Sequence, residues 1–333
     1  MKPQNIEIAS QVLAALALIG VLKFGLLAAL LPGLLIYQLV HLLAPMFLRL
    51  GLNHDAGRTV ALAIPVAVII LALIALVTQL ALLFAGPDSV VALLQRMAEI
   101  IGALRQYLPT WAQEYLPENI NEIETAAAQW LRENAGQVGI YGQNAGRVLF
   151  HIVVGMIIGG LVALQSGALR QPAGPLAEAM TDRADLLSNA FRSVVFSQIR
   201  ISALNTALTA IYLAIVLPLL GVHLPLLRTM IVVTFIVGLL PVVGNLISNS
   251  VIVIVSLSVS PIVAGGSLAF LVVIHKLEYF VNARIIGASI KARAWELLAA
   301  MLTMEAVFGL PGLIAAPIYY AYAKDELTRR GLI

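Results

Sequence analysis

The chain has 333 residues, of which 61% are hydrophobic and 11% charged. Soluble domains carry about a quarter charged residues, so this composition excludes an ordinary soluble protein. A net charge of +3 is too small to point to a nucleic-acid surface, and the absence of cysteine excludes disulfides, thiolate chemistry and Cys-ligated metals.

Long apolar runs recur at Val60 to Ala85, Val148 to Leu164, Ile201 to Leu220, Ile231 to Val259 and Leu297 to Ala323. About 18 or more apolar residues suffice for a bilayer-spanning helix. One signal peptide cannot account for several such runs, and a β-barrel would show short alternating segments instead. The sequence predicts an all-α polytopic membrane protein.

The first two spans are predicted at Ile8 to Leu26 and Leu31 to Leu48, with Pro32 and Gly33 at the start of the second helix. A third covers Thr59 to Ala85, so residues 1–85 form an N-terminal transmembrane region. Residues 86–146 are more polar. Val90, Leu94, Met97, Ile101, Leu104 and Leu108 repeat at helical spacing there, and acids outnumber bases, which predicts amphipathic helices on the outer side. Residues 147–333 are expected to form the larger, C-terminal transmembrane region. It opens with a span over Arg147 to Leu164, followed by an amphipathic cytoplasmic helix at 171–200 and a fifth span at Ile201 to Leu220.

The rest of the chain poses a conflict. Three ordinary spans would leave the loop His275 to Arg293 outside, with Lys276, Arg284, Lys291 and Arg293 against Glu278 alone. Short loops rich in Lys and Arg belong inside. The conflict vanishes if Thr229 to Ser258 is a hairpin entered from outside and turning at Pro241–Gly244. Pro261 to Leu277 is then the sixth span, and Trp295 to Ala323 is a second hairpin, turning at Gly309–Gly312. This gives about six full spans plus two re-entrant hairpins whose tips meet at membrane depth, with both termini cytoplasmic. The alternative is eight spans in which Pro and Gly merely kink the helices.

Broken backbone at membrane depth is tolerated where it lines a protein-buried or wetted cavity, so Pro241, Gly244, Gly309 and Gly312 mark a candidate pathway. Ser202, Asn205, Thr209 and Tyr212 share one helical face, as the wall of a polar route or as interhelical hydrogen-bonding groups. Asn245 and Ser248 follow the first break and either bind solute or cap the second half-helix. Glu305 stands in an apolar run, where a charge costs about 2.5–3.5 kcal/mol on insertion scales. It is either a coupling or coordinating group or half of an ion pair with Arg284 or Arg293. No Walker loop, HExxH or GxSxG occurs, which argues against an enzyme and calls for no cofactor.

Three elements resemble the AI-2E family of transporters, also called the autoinducer-2 exporter or predicted permease family. They are "LLPVVGN" (Leu240, Pro241, Gly244), "LEYFVNARIIG" (Glu278, Asn282, Arg284, Gly287) and "FGLPGLIAAP" (Phe308, Gly309, Gly312, Pro317). Ala283 stands where the family commonly has Pro, and Arg293–Ala294 where it commonly has His-Pro. The resemblance implies a secondary transporter in the cell membrane exporting a small polar solute such as autoinducer-2. Some relatives are Na+(Li+)/H+ antiporters, a reading in which Glu305 and Glu278 exchange the ions. It also implies a homo-oligomer such as a pentamer. A membrane scaffold that transports nothing is the contrasting class.

Overall fold

A computed structural model describes residues 3–85, 135–165, 174–239, 243–290 and 292–332. Every regular element among them is helical: α1 (Pro3–Lys23), α2 (Leu27–Arg49), α3 (His54–Ala85), α4 (Ala135–Gln165), α5 (Pro175–Ile211), α6 (Leu227–Gly238), α7 (Val243–Leu257), α8 (Pro261–Ile290), α9 (Ala294–Phe308) and α10 (Leu310–Arg329). α5 continues through a π-helical turn, Tyr212–Val216, and one last α turn, Leu217–Leu219. Pro218 lacks the N–H that an α-helix would aim at the Ala214 carbonyl, and the register widens just before it.

Five helical stretches among the described residues are long and apolar enough to cross a membrane: Asn5–Lys23, Leu27–Arg49, Asp55–Ala72, Gly146–Gln165 and Pro175–Leu219. The chain is a polytopic helical membrane protein. Three details differ from expectation. α2 begins at Leu27, five residues before Pro32, because Gly25 adopts φ 68° and turns the chain early. The cytoplasmic amphipathic helix and the fifth span are one continuous α5. The predicted basic loop is helical as far as Ile290, extending the sixth span, whose apolar stretch is Pro261–Lys276. The expected outer helices lie, up to residue 134, outside the described residues.

The chain divides into two compact units. The first comprises Met1–Ala72, Gln143–Ser197 and Ile286–Ile333; the second comprises Leu73–Gly142 and Gln198–Ile285.

In the first unit, α2 packs on α3 and α4 around Ile36, Val40, Ala61 and Met156. α2 and α4 touch backbone to backbone. A Cβ on Gly155 would lie 2.0 Å from the Ala29 carbonyl oxygen, and one on Gly159 would lie 2.1 Å from that of Gly33. Membrane helices gain dispersion contact this way, since no water is released when they pair. α10 is seated against α5 through Ile318, Ala321, Phe191 and Val194, and its Ala315 packs with Leu22 of α1 and Leu27 of α2. Tyr319 Oη donates to the Leu18 carbonyl at 3.1 Å, while Glu7 meets Arg330 at 2.9 Å. α1 and α10 are therefore antiparallel, and the two ends of the chain lie together.

In the second unit, the end of α5 packs with α6, α7 and α8 around Leu213, Met230, Ile252 and Leu271. Tyr212 stacks on Phe270 at 3.9 Å, and its hydroxyl reaches Ser267 Oγ at 3.1 Å, which in turn meets Ser256 Oγ at 2.8 Å. All three hydroxyl-bearing residues are buried, so the chain of hydrogen bonds replaces solvent for each.

Candidate functional site

Two helical hairpins carry the breaks that the sequence marked. α6 has 12 residues and α7 has 15, so they rise about 18 and 22 Å, short of a hydrocarbon core of about 30 Å. They pack against each other, with Met230 of α6 and Ile252 and Val255 of α7 in one core cluster. α9 has 15 residues, and the apolar part of α10 ends before Lys324, about 21 Å from its start. Glu296 near the start of α9 bonds Lys324 near the end of α10, so this pair also folds back on itself. Neither pair is a kinked full span.

The first hairpin ends with every exposed carbonyl accounted for. The last four carbonyls of an α-helix have no partner within it. In α6 these are Phe235, Ile236, Val237 and Gly238. Ser202 Oγ donates to the Phe235 carbonyl at 2.6 Å and Gln198 Nε2 to the Gly238 carbonyl at 2.8 Å. The Leu239 N–H serves Ile236 and Val237. Two side chains of α5, four residues apart, thus do what water does at an exposed helix end. Gly238 is buried beneath them, and a Cβ there would lie 2.7 Å from Ser202 Oγ.

The same face of α5 continues with Asn205 and Thr209, both buried. Ser202 and Gln198 are committed to structure, whereas Asn205 Oδ1 and Thr206 Oγ1, the latter four residues after Ser202, are buried with no hydrogen-bond partner among the described residues. Gly244 is buried in the first turn of α7, where a Cβ would stand 2.2 Å from the Val237 carbonyl oxygen. Ser248 is buried and donates to the Asn245 carbonyl at 3.3 Å. Pro241 lies outside the described residues.

The second hairpin turns on one residue. Gly309 adopts φ 64° and ψ −149°, a conformation that a Cβ makes costly, and its N–H closes α9 on the Glu305 carbonyl at 2.7 Å. Gly312 is already inside α10, where its missing Cβ lets the Met304 carbonyl approach; a Cβ would lie 2.0 Å away. The predicted turn at Gly309–Gly312 is thus a turn at Gly309 and a close crossing at Gly312.

Glu305 is exposed one turn before the tip, and its carboxylate has no hydrogen-bond or ion-pair partner among the described residues. Arg293, considered as its partner, is the N-cap of the same helix, about 18 Å away along the axis. Glu278 and Arg284 are carried on α8, and their side chains lie outside the described residues.

The open end of this hairpin holds a polar knot that sequence reading did not pick out. Glu296 Oε2 accepts from Lys324 Nζ at 2.7 Å, from the Tyr320 hydroxyl, and from the Arg293 backbone N–H at 3.2 Å. The bonds from Lys324 and Tyr320 hold the Glu296 carboxyl well below the usual range, to about 2, against the opposing effect of burial. Gln198 was missed as well, although it stands four residues before Ser202 on the face already marked.

A family model for AI-2E family transporters matches residues 8–329. The chain belongs to the AI-2E transporter family. The match spans both units and both hairpins. The AI-2E family is one of transporters, which makes this multi-pass protein a permease by membership. No curated protein and no solved structure matches the chain.

Proposed function

We propose that the protein exports a small polar solute of the autoinducer-2 kind across the cell membrane, with both termini in the cytoplasm and as a homo-oligomer such as a pentamer. The observation that carries this reading is the α6 terminus. Its carbonyls are satisfied by Ser202 and Gln198, and one turn further along the same buried face Asn205 keeps an unused acceptor. A buried polar group without a partner is costly, on the order of 1–3 kcal/mol, and is retained where a ligand or ion completes it.

In this reading Asn205 and Thr209 line the solute route in the second unit, beside the break at Pro241 to Asn245 and Ser248. In the first unit, the break at Gly309 and Gly312 presents Glu305. Glu278 and Arg284 serve as a coupling pair. A second reading, Na+(Li+)/H+ antiport, is favoured by Glu305 itself: a carboxylate without a protein partner in an apolar helix suits a group that exchanges a proton for a cation.

Two assays on one set of variants separate these readings. Autoinducer-2 released by expressing cells is compared for the wild type, Asn205→Ala and Glu305→Gln. Dissipation of a pH gradient by Na+ or Li+ is followed in everted vesicles. Solute export predicts that Asn205→Ala lowers release while Glu305→Gln retains part of it. Antiport predicts that Glu305→Gln abolishes dissipation. If wild-type protein moves nothing in either assay, the scaffold reading stands and both transport readings fall.

A further inference from the structure

Three helices of the first unit meet where the chain ends lie together. α1 contributes Glu7 and Gln11, α5 contributes Arg183, and α10 contributes Glu326, with Arg330 as its C-cap. Two arginines share two carboxylates. Arg330 Nη2 lies 2.9 Å from Glu7 Oε1, and its Nε lies 3.1 Å from Glu326 Oε1. Arg183 Nη2 reaches the same two oxygens at 3.6 and 3.4 Å. Gln11 Nε2 also donates to Glu326 Oε1, at 2.5 Å.

The better pairs belong to the wrong arginine. The Arg183 side chain is 10% exposed and that of Arg330 28%, yet Arg330 holds the shorter contacts. Arg183 Nε is buried with no hydrogen-bond partner among the described residues. A guanidinium is a planar fork suited to bidentate binding, and a buried cation with unused donors is held at a cost. Arg330, at the helix end, has water to turn to. Its position is set by the last turn of α10: the Leu332 N–H bonds the Leu327 carbonyl, and the Gly331 N–H bonds that of Thr328, with Gly331 at φ 68°. This closure depends on glycine and is the first part of the helix to fray.

We propose that Arg183 and Arg330 compete for Glu7 and Glu326, and that this seam is a two-state latch. In the state observed, Arg330 holds both carboxylates. When the last turn of α10 opens, Arg330 leaves, the carboxylates close on the Arg183 fork, and α1 stays docked. The device lets the end of the second hairpin's outer arm detach without releasing the N-terminal helix. It rests on the geometry of these five side chains and does not depend on what the protein carries.

The test is hydrogen exchange by mass spectrometry on the purified full chain in detergent. The readout is protection of the α1 segment around Glu7 in wild type, Arg330→Gln, Arg183→Gln, the double variant and Gly331→Ala. Competition means that either arginine suffices. Each single variant should then exchange in this segment within about twofold of wild type, and the double variant about tenfold faster. Gly331→Ala should speed exchange in the last turn of α10 and leave α1 protected. A tenfold rise with Arg330→Gln alone overturns the latch in favour of a static network. An unchanged double variant overturns it too, because the seam then does not hold α1.

Discussion

Glu296 and Lys324 are separated by 28 positions in the chain and meet at 2.7 Å across the open end of the α9/α10 hairpin. In one continuous helix that separation would be about 42 Å. The contact therefore distinguishes a hairpin from a kinked rod, and it makes the hairpin's stability testable by pH. The Glu296 carboxyl is lowered from its ordinary 4.5 to about 2, so its contribution is fully present above about pH 4.5 and lost as pH falls through about 2. The bond to Glu296 raises the Lys324 ammonium, so its contribution is present below its ordinary 10.5 and lost above that. Thermal denaturation in detergent should show no loss from this knot between about pH 5 and 10. Glu296→Gln should lower Tm in that window and not at pH 2. An equal loss at both pH values would remove the carboxylate from the explanation.

Gly238 and Ser202 offer a second measurement. Ser202→Ala strands the Phe235 carbonyl and should cost about 1–3 kcal/mol, as should Gln198→Ala at the Gly238 carbonyl. Gly238→Ala should also destabilise, since its Cβ would sit 2.7 Å from Ser202 Oγ. The two defects share one cause, so Gly238→Ala with Ser202→Ala should cost less than the sum of the singles. Strict additivity in the melting data would mean the two residues do not press on each other.

The α2/α4 crossing predicts a steep size dependence. Gly159→Ala places a methyl 2.1 Å from the Gly33 carbonyl oxygen, backbone that cannot turn aside. A loss of about 1–3 kcal/mol or more, seen as reduced folded yield and lower Tm, is expected. Gly146 on the same helix has open space around it. Gly146→Ala should be neutral or stabilise by about 0.5–1 kcal/mol, because alanine loses less chain entropy in a helix.

Topology can be read with a single introduced cysteine, since the chain has none of its own. The Glu7–Arg330 contact places both termini on one side of the membrane. Ser289 lies at the end of α8, just before the start of α9, and the open end of the α9/α10 hairpin faces the same way as the α10 C-terminus. A membrane-impermeant maleimide should therefore modify Ser289→Cys only from the side that carries the two termini. Labelling from the opposite side would refute the hairpin arrangement.

Much of the architecture was legible in the order of residues. A hydrocarbon solvent permits few ways to bury a backbone, so apolar length alone marks the helices; α1, α2, α3 and α5 start within a few residues of their expected places, whereas α4 starts at Ala135, well before the expected Arg147. The imbalance of Lys and Arg around His275 to Arg293 sufficed to prefer hairpins over full spans, and the arms are indeed too short to cross. Helix starts were less legible. Pro32 looked like a first-turn residue, yet Gly25 had already turned the chain, and a proline inside a membrane helix is tolerated when neighbours satisfy the freed groups.

The sequence by itself determined that the chain must live in a bilayer and where its backbone is interrupted, because both follow from local composition against a uniform solvent. Only the tertiary structure decided which polar residues are spent. Ser202 and Asn205 look alike on one helical face, yet Ser202 closes a helix end 33 residues away while Asn205 keeps an open acceptor. Glu296 and Glu305 are both single acids in apolar stretches, yet one is locked by Lys324 and Tyr320 and the other has no partner among the described residues. A hydrogen bond acts over about 3 Å, and which donor comes within that reach is set by how distant segments pack, which no local pattern encodes.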